Sequence, residues 1–138
     1  MARVLGLDPG ARRCGVALSD AGRTMAFPRP ALDAGDGLAE DVARLAREES
    51  VELVVVGRPL SLAGARTAAT AAADALYESL AQRLAPLAVV QFDERLTTRT
   101  AERGLRESGV RARDQRGRVD SAAAAVMLQH FLEAERGL

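Results

Sequence analysis

The chain contains 138 residues, of which 48% are hydrophobic and 28% are charged, a composition that excludes extensive disorder and is typical of one folded domain. No apolar run approaches the roughly 20 residues of a membrane span, and the N-terminal apolar run is too short for a signal peptide. The single cysteine, Cys14, excludes an internal disulfide. We therefore expect one cytoplasmic domain over residues 1–138.

The formal net charge is zero, which disfavours nucleic-acid binding because phosphate recognition usually shows as a basic excess. The charge is nevertheless unevenly distributed. All nineteen cationic side chains are arginine, and eight of them lie between Arg95 and Arg118 with only three acids, which gives this segment a net charge of +5. A GC-rich genome would explain arginine in place of lysine, but it would not explain this clustering.

Three short β-type runs separated by turn signals open the chain, and they predict an antiparallel meander. They cover residues 3–8, 14–19 and 24–27. Apolar residues at helical spacing then predict a helix over 38–49, and an unbroken apolar run at 51–56 is typical of a strand buried on both faces.

Helices and a further strand follow in the second half of the chain. The predicted elements are a helix at 67–84, a buried strand at 87–92, a helix from Thr97 to about Ser108, a polar loop from Gly109 to Gly117 and an amphipathic helix from Val119 to Glu135. This order indicates an α/β fold with a five-stranded mixed sheet and helices packed on both faces.

Acidic residues stand at the ends of two predicted core strands, where an α/β sheet presents side chains to a crevice. Asp8 directly precedes a Pro-Gly turn, and Asp93 and Glu94 follow the strand at 87–92. Neighbours on a strand face opposite ways, so only one of the last two should point at a site, and the spacing does not say which. A turn-stabilising aspartate and solvated loop acids are the structural alternatives.

A further acid, Asp120, falls in the first turn of the last predicted helix, where its structural alternative is an N-terminal cap. Taken together, three carboxylates suit phosphodiester hydrolysis, in which two divalent ions roughly 3.5–4 Å apart activate water and neutralise transition-state charge. Mg²⁺ and Mn²⁺ prefer such oxygen ligands. We interpret His130, which falls on the apolar stripe of the last predicted helix, as a packed or partly exposed structural residue. We interpret Cys14 as a small core residue of the second strand, since no partner histidine is evident.

Arginines flank two of the candidate ligands and predict a track for nucleic-acid phosphates. On a helix, Arg95, Arg99, Arg103 and Arg106 fall within about 80° of one another, and Arg111, Arg113, Arg116 and Arg118 then lead into Asp120. A solvated helix face paired with acids is the alternative. Because aromatic residues make up only 3% of the chain, we expect recognition of shape and backbone rather than of base sequence.

Four motifs, in order along nearly the whole chain, resemble the YqgF/RuvX family of Holliday junction resolvases, which have an RNase H-like fold. They are VLGLDPG with GVALSD (4–10, 15–20), VVGRPLSLAG (55–64), DERLTT (93–98) and VDSAAAAVMLQHFL (119–132). One departure is Arg58, in a position where the family usually has an aliphatic residue.

The resemblance implies two-metal nuclease chemistry with Asp8, Glu94 and Asp120 as catalytic metal ligands, and it selects Glu94 over Asp93. Two roles are associated with the family: resolution of four-way junctions in DNA recombination and repair, and 5′-end processing of pre-16S rRNA in ribosome biogenesis. Since resolvases of this fold cut two strands symmetrically, a homodimer would suit the DNA role.

Two other classes of function are compatible with parts of this pattern. One is a catalytically silent nucleic-acid-binding or ribosome-assembly module of the same fold, which would bind without cleaving. The other is a phosphotransferase of the actin or sugar-kinase type, whose sheet also opens with an acid at the first strand end. That class needs a second domain, for which we expect no room in 138 residues.

Overall fold

Five strands and three helices form the described part of the chain, residues 3–59, 64–93 and 112–137 of a computed structural model, with side chains in the last range described from Ser121 onward. In chain order the elements are β1 (Arg3–Pro9), β2 (Arg13–Ser19), β3 (Ala26–Asp33), α1 (Leu38–Glu48), β4 (Val51–Arg58), α2 (Ala68–Leu84), β5 (Ala88–Asp93) and α3 (Ala112–Glu135). No helix in these ranges is both long and apolar enough to cross a lipid bilayer.

The strands form one mixed sheet of five strands, as the sequence predicted, and their order in the sheet is β3-β2-β1-β4-β5. β1 pairs antiparallel with β2, and β2 antiparallel with β3, so the first three strands are a meander. β1 and β4 run parallel, as do β4 and β5. Because parallel strands end at the same edge of a sheet, the carboxyl ends of β1, β4 and β5 lie together.

Side chains from the two faces of the sheet enter two separate hydrophobic cores. On β4, Val54 and Val56 pack into the core beneath α1 and α2, whereas Leu53 and Val55 pack against α3. This alternation explains the unbroken apolar run at 51–56, since both faces of the strand are covered. Helices therefore lie on both faces of the sheet, as predicted.

Close contact between α3 and the central strand depends on Gly6. A Cβ atom built at Gly6 would lie 3.0 Å from Cβ of Leu128, a distance that would force the helix or the strand to shift. Farther along α3, Leu132 packs in the same core as Val4 of β1. The helix thus runs antiparallel to β1, with its earlier turns toward the carboxyl end of that strand.

The third strand differs from its prediction. Residues 24–27 were predicted as a strand, whereas β3 covers Ala26–Asp33 and includes Pro28 and Pro30. Prolines disfavour a central strand but are tolerated at the edge of a sheet, which is where β3 lies. Thr24 instead belongs to the preceding turn, where its amide donates to Oδ1 of Asp20 over 2.7 Å.

The last helix is longer than its prediction. Residues 109–117 were predicted as a loop, but α3 already begins at Ala112, so the prediction is wrong for 112–117. Alanine, arginine and glutamine are good helix formers, and one glycine, Gly117, costs only about 1 kcal/mol in a helix interior. The predicted helix over 97–108 lies outside the described residues.

Candidate active site

Asp8, the first candidate metal ligand, lies near the carboxyl end of β1, which is the middle strand of the sheet. It is two residues beyond Gly6, whose missing side chain leaves room for Leu128 of α3. Residues two apart on a strand share a face, so Asp8 lies on the face that α3 covers. Its residue is half-buried.

Ser121 fixes α3 to the sheet beside Asp8. The residue is only 1% exposed, and its hydroxyl accepts a hydrogen bond from the amide of Val16 over 3.3 Å and donates one to the carbonyl of Arg29. Val16 lies in β2 next to Gly15, and Gly15 is the strand partner of Asp8. The contact therefore brings this part of α3 to the same region of the sheet as Asp8.

Asp120 directly precedes Ser121, and the structure changes how this acid is understood. The sequence placed it in the first turn of the last helix, where capping was the structural alternative. Because α3 begins at Ala112, Asp120 lies more than two turns inside the helix, where a side chain cannot cap the N-terminal amides. The prediction that Asp120 lies in the first turn of the helix is therefore wrong, and the position of Asp120 is not that of an N-terminal cap.

Glu94, the third predicted ligand, lies outside the described residues, but the strand that leads to it is described. Phe92 of β5 contacts Phe131 of α3 edge to face, with ring centroids 5.7 Å apart. Phe92 therefore lies on the α3 face, and Asp93, the last residue of β5, lies on the α2 face. Asp93 is also the register partner of Arg58 at the end of β4.

A polar network joins β4, α2 and β5 on the face opposite to Asp8. The carboxylate of Asp74 in α2 accepts hydrogen bonds from Nε of Arg58 at 2.9 Å and from Nε2 of Gln91 at 2.8 Å. Nη2 of Arg66 binds the other carboxylate oxygen at 2.9 Å, and Nη2 of Arg58 lies 3.3 Å from that oxygen. We call Arg58, Arg66, Asp74 and Gln91 the Asp74 network.

The Asp74 network shifts the pKa values of its charged members. Hydrogen bonds from Arg58 and Gln91 lower the pKa of Asp74 from its ordinary value of 3.8 to about 2. The pKa of Arg58 is raised, mainly by its hydrogen bond to Asp74 and with a smaller contribution from the charge of Asp93. Both side chains are therefore ionised at neutral pH.

The Asp74 network was not predicted from the sequence, although the departure of Arg58 from the family pattern was visible there. A signal was present, since Asp74 interrupts an alanine-rich helix and Gln91 interrupts an apolar strand. Isolated polar residues in such segments usually have a partner when they are partly buried. Arg58 is accommodated in this chain because Asp74 pairs with it.

The remaining predicted residues of the site are described only in part. Arg95, Arg99, Arg103, Arg106 and Arg111 lie outside the described residues. Arg113, Arg116 and Arg118 belong to α3, and the description of that segment does not extend to their side chains. Among the side chains that are described, no three His, Cys, Asp or Glu residues group as metal ligands, and two of the three predicted ligands are outside that set.

Two residues interpreted as structural can be located directly. Cys14 is buried in the core beneath α1 and α2, as expected for a small core residue. His130 is exposed on α3.

The strand order and the helices on both faces define a fold of the RNase H-like class. RuvC from Thermus thermophilus, solved in complex with a Holliday junction substrate, matches this chain with a TM-score of 0.59 and 16% sequence identity. The match covers 99% of this chain and 97% of the RuvC chain.

A family model matches nearly the whole chain. The model of the RuvX family, described as Holliday junction resolvase, matches residues 2–134. The chain belongs to the RuvX family, and the family resemblance seen in its motifs is confirmed.

Curated relatives agree with this assignment. A protein of Thermobifida fusca named "Putative pre-16S rRNA nuclease" is 45% identical over 96% of this chain and 87% of its own length. A protein of Mycobacteroides abscessus with the same name is 42% identical over 97% of this chain and 82% of its own length.

Proposed function

We propose that this chain is a divalent-metal-dependent endonuclease that hydrolyses phosphodiester bonds in structured nucleic acid. The observation that carries the proposal is the position of Asp8 at the carboxyl end of the central strand, on the face covered by α3. The bonds from Ser121 to Val16 and Arg29 hold the adjacent segment of α3 over the same part of the sheet. A carboxylate at this edge suits hydrolysis of a phosphate ester.

The donor set of the proposed site consists of carboxylate oxygens. Asp8, Glu94 and Asp120 would hold two Mg²⁺ or Mn²⁺ ions, which prefer oxygen ligands. Bound there, the ions would activate a water molecule and neutralise negative charge on the phosphate being cleaved. The position of Asp120 inside α3 supports its inclusion, because an acid at that position has no capping role.

Of the two neighbouring acids at the end of β5, we assign the ligand role to Glu94. Asp93 lies on the α2 face as the register partner of Arg58, and its charge contributes to the raised pKa of that arginine. It is therefore engaged on the face opposite to Asp8. This supports the choice of Glu94 that the family motif implies.

Nucleic acid as the substrate follows from the family and from the arginine-rich segment 95–118, which would contact backbone phosphates. The RuvX family description and the junction-bound RuvC structure favour a four-way DNA junction. The names of the curated relatives favour the precursor of 16S rRNA. Symmetrical cutting of a junction would require a homodimer, which is part of the proposal for the DNA role.

A cleavage assay tests this function. Purified protein is incubated with a four-way junction and with a 5′-extended 16S rRNA precursor, each with Mg²⁺ or with Mn²⁺. We expect metal-dependent cleavage of at least one substrate, and Asp8→Asn should reduce the rate by roughly a hundredfold or more, because a transition-state interaction worth several kcal/mol is lost. Asp41→Asn, which removes a carboxylate of α1 paired with Arg44, is the matched control and should cleave normally.

Two results would contradict the proposal. One is cleavage by Asp8→Asn or Asp120→Asn at the wild-type rate. The other is nucleic-acid binding that survives metal chelation without cleavage under any divalent ion, which would identify a catalytically silent binding or ribosome-assembly module instead.

A further inference from the structure

The turn that joins β1 to β2 lies at the same edge of the sheet as Asp8 and carries two adjacent arginines, Arg12 and Arg13. Gly15 is the strand partner of Asp8, and Arg13 lies two residues before Gly15 on the same face. Arg13 is therefore the diagonal neighbour of Asp8, at a separation of roughly 7–8 Å that a long side chain can span. Both arginines are exposed, whereas Asp8 is half-buried. A phosphate group that approaches Asp8 across this edge comes close to them.

Two backbone contacts hold this turn, residues 10–13, which we call the arginine hairpin. A Cβ atom built at Gly10 would lie 2.7 Å from the carbonyl oxygen of Arg13, so a side chain there would force the turn to open. The amide of Ala34, which follows β3, donates to the carbonyl of Arg12 over 2.9 Å. The backbone that carries both arginines is thus ordered before any ligand arrives, which reduces the entropy lost on binding.

Ion pairing distinguishes Arg12 from most arginines of the described residues. Arginines that form an ion pair with a carboxylate are Arg3, Arg23, Arg29, Arg44, Arg58, Arg66 and Arg83. Within the described part of the chain, Arg12 forms no such pair, and neither does Arg47. Arg47 precedes the start of β4, at the opposite edge of the sheet. Arg12 therefore offers an uncompensated guanidinium at the edge where Asp8 lies.

We propose that Arg12 and Arg13 bind the sugar-phosphate backbone of the substrate beside the bond that is cleaved. The inference rests on the proposed function and adds to it a phosphate-binding site on the β2 side of Asp8, separate in sequence from the arginine-rich segment 95–118. Guanidinium groups bind phosphate oxygens through charge-assisted hydrogen bonds that are often bidentate. Such contacts position a nucleic acid without reading its sequence, so the arginine hairpin serves substrate binding.

The test measures binding of a fluorescent four-way DNA junction and of a fluorescent 5′-extended 16S rRNA precursor by anisotropy at several salt concentrations. EDTA is present, so that metal-dependent cleavage does not occur. Each phosphate contact contributes roughly 0.9 to the slope of log affinity against log salt on duplex DNA and roughly 0.7 on single strands.

On the probe that wild type binds more tightly, we expect Arg12→Gln and Arg13→Gln each to lower the slope by about one contact and the affinity by roughly threefold. The double variant should bind roughly tenfold more weakly, by the same amount on a probe of unrelated sequence. Arg13→Lys retains the charge and should keep most of the slope.

Arg47→Gln is the matched control, since it removes an exposed arginine at the opposite edge and should bind as wild type does. In steady-state cleavage with Mn²⁺, the double variant should raise KM by roughly tenfold and change kcat by less than about twofold, because the lost contacts stabilise bound substrate and transition state equally. Unchanged unfolding temperatures would show that the variants are folded.

Wild-type affinity and salt slope in the double variant would overturn the inference and leave the proposed nuclease standing. An equal loss for Arg47→Gln would also overturn it, since the effect would then come from net charge alone. A lower kcat with unchanged affinity would contradict a role in binding. If wild-type protein binds both probes but cleaves neither with any divalent ion, the proposed function fails, whereas the phosphate contacts are still decided by the salt slopes.

Discussion

The carboxylates of Asp20 and Asp74 each accept several hydrogen bonds, and these bonds lower the pKa of each from 3.8 to about 2. For Asp20 the main causes are the amide of Met25 and the hydroxyl of Thr24, in the turn between β2 and β3. For Asp74 they are Arg58 and Gln91. Both carboxylates therefore favour the folded state only while they are ionised.

This arrangement predicts how stability depends on acid pH. The folded-state pKa is below the ordinary value, so the stabilisation by Asp74 is complete above about pH 4 and is lost as the pH falls through about 2. Urea denaturation measured from pH 5 to pH 2 should show Asp74→Asn losing less stability over this interval than wild type. Gln82→Ala, on the exposed surface of the same helix, should follow wild type. Equal pH dependence for wild type and Asp74→Asn would contradict the prediction.

Individual residues of the site were predictable from sequence to different degrees. Asp8 could be identified because the pattern of the first strand ends at it, and its position near the carboxyl end of β1 is confirmed. The choice between Asp93 and Glu94 needed the family motif, since alternation alone does not say which face is which. The partner of Arg58 could not be found from the sequence, because Asp74 is 16 positions away and only the fold brings the two residues together.

At the level of elements, the packing of α3 on β1 is the contact on which the candidate site depends. Helix and strand approach closely at Gly6 and Leu128, and this contact sets the distance between the face that carries Asp8 and the helix that carries Asp120. Any side chain at Gly6 should therefore displace α3.

We expect Gly6→Ala to lower the free energy of unfolding by about 1–3 kcal/mol, because the added methyl overpacks a buried contact. Leu128→Ala alone should cost about 2–5 kcal/mol through its cavity. The loss in the double variant should be smaller than the sum of the two separate losses, because Leu128→Ala removes two of the three close contacts of the new methyl group, and that group fills part of the cavity. Urea denaturation of the four proteins measures this coupling.

Gly37→Ala is the control for the added methyl group, because a Cβ there meets nothing within 4 Å. It should change stability by less than about 1 kcal/mol. Strict additivity of Gly6→Ala and Leu128→Ala, or wild-type stability for Gly6→Ala, would show that the close approach of α3 to β1 is not a constraint.

Six elements were predicted to within two residues at each end, and the two larger errors have a common physical origin. Pro28 and Pro30 lie inside β3, beyond its predicted end at residue 27, and Gly117 lies inside α3, before its predicted start at Val119. β3 lies at the edge of the sheet, where missing amide donors are tolerated, and α3 packs along one whole face of the sheet, so packing outweighs the cost of Gly117. Tertiary position, which is not visible in local sequence, decided both cases.

At the scale of the whole molecule, the sheet separates the candidate metal ligand Asp8 from the Asp74 network. Its α3 face carries Asp8 and the contact between Phe92 and Phe131, and its α2 face carries the Asp74 network. The five-stranded mixed sheet was predictable because a meander followed by alternating helices and strands allows few arrangements, but the order of its strands was not predicted. The position of Asp93 beside Arg58 depends on the register of β5 against β4, which sequence alone did not give.

The central claim is that carboxylates on the α3 face, including Asp8, bind the catalytic metal ions. The most direct measurement is a crystal structure of the protein with Mn²⁺, in which anomalous scattering locates the ions independently of any assumption about ligands. The account predicts Mn²⁺ bound to the carboxylate of Asp8 on the face covered by α3, with Glu94 and Asp120 as further ligands and Asp93 on the opposite face beside Arg58. Mn²⁺ bound away from Asp8, or coordinated by Asp93 in place of Glu94, would contradict it.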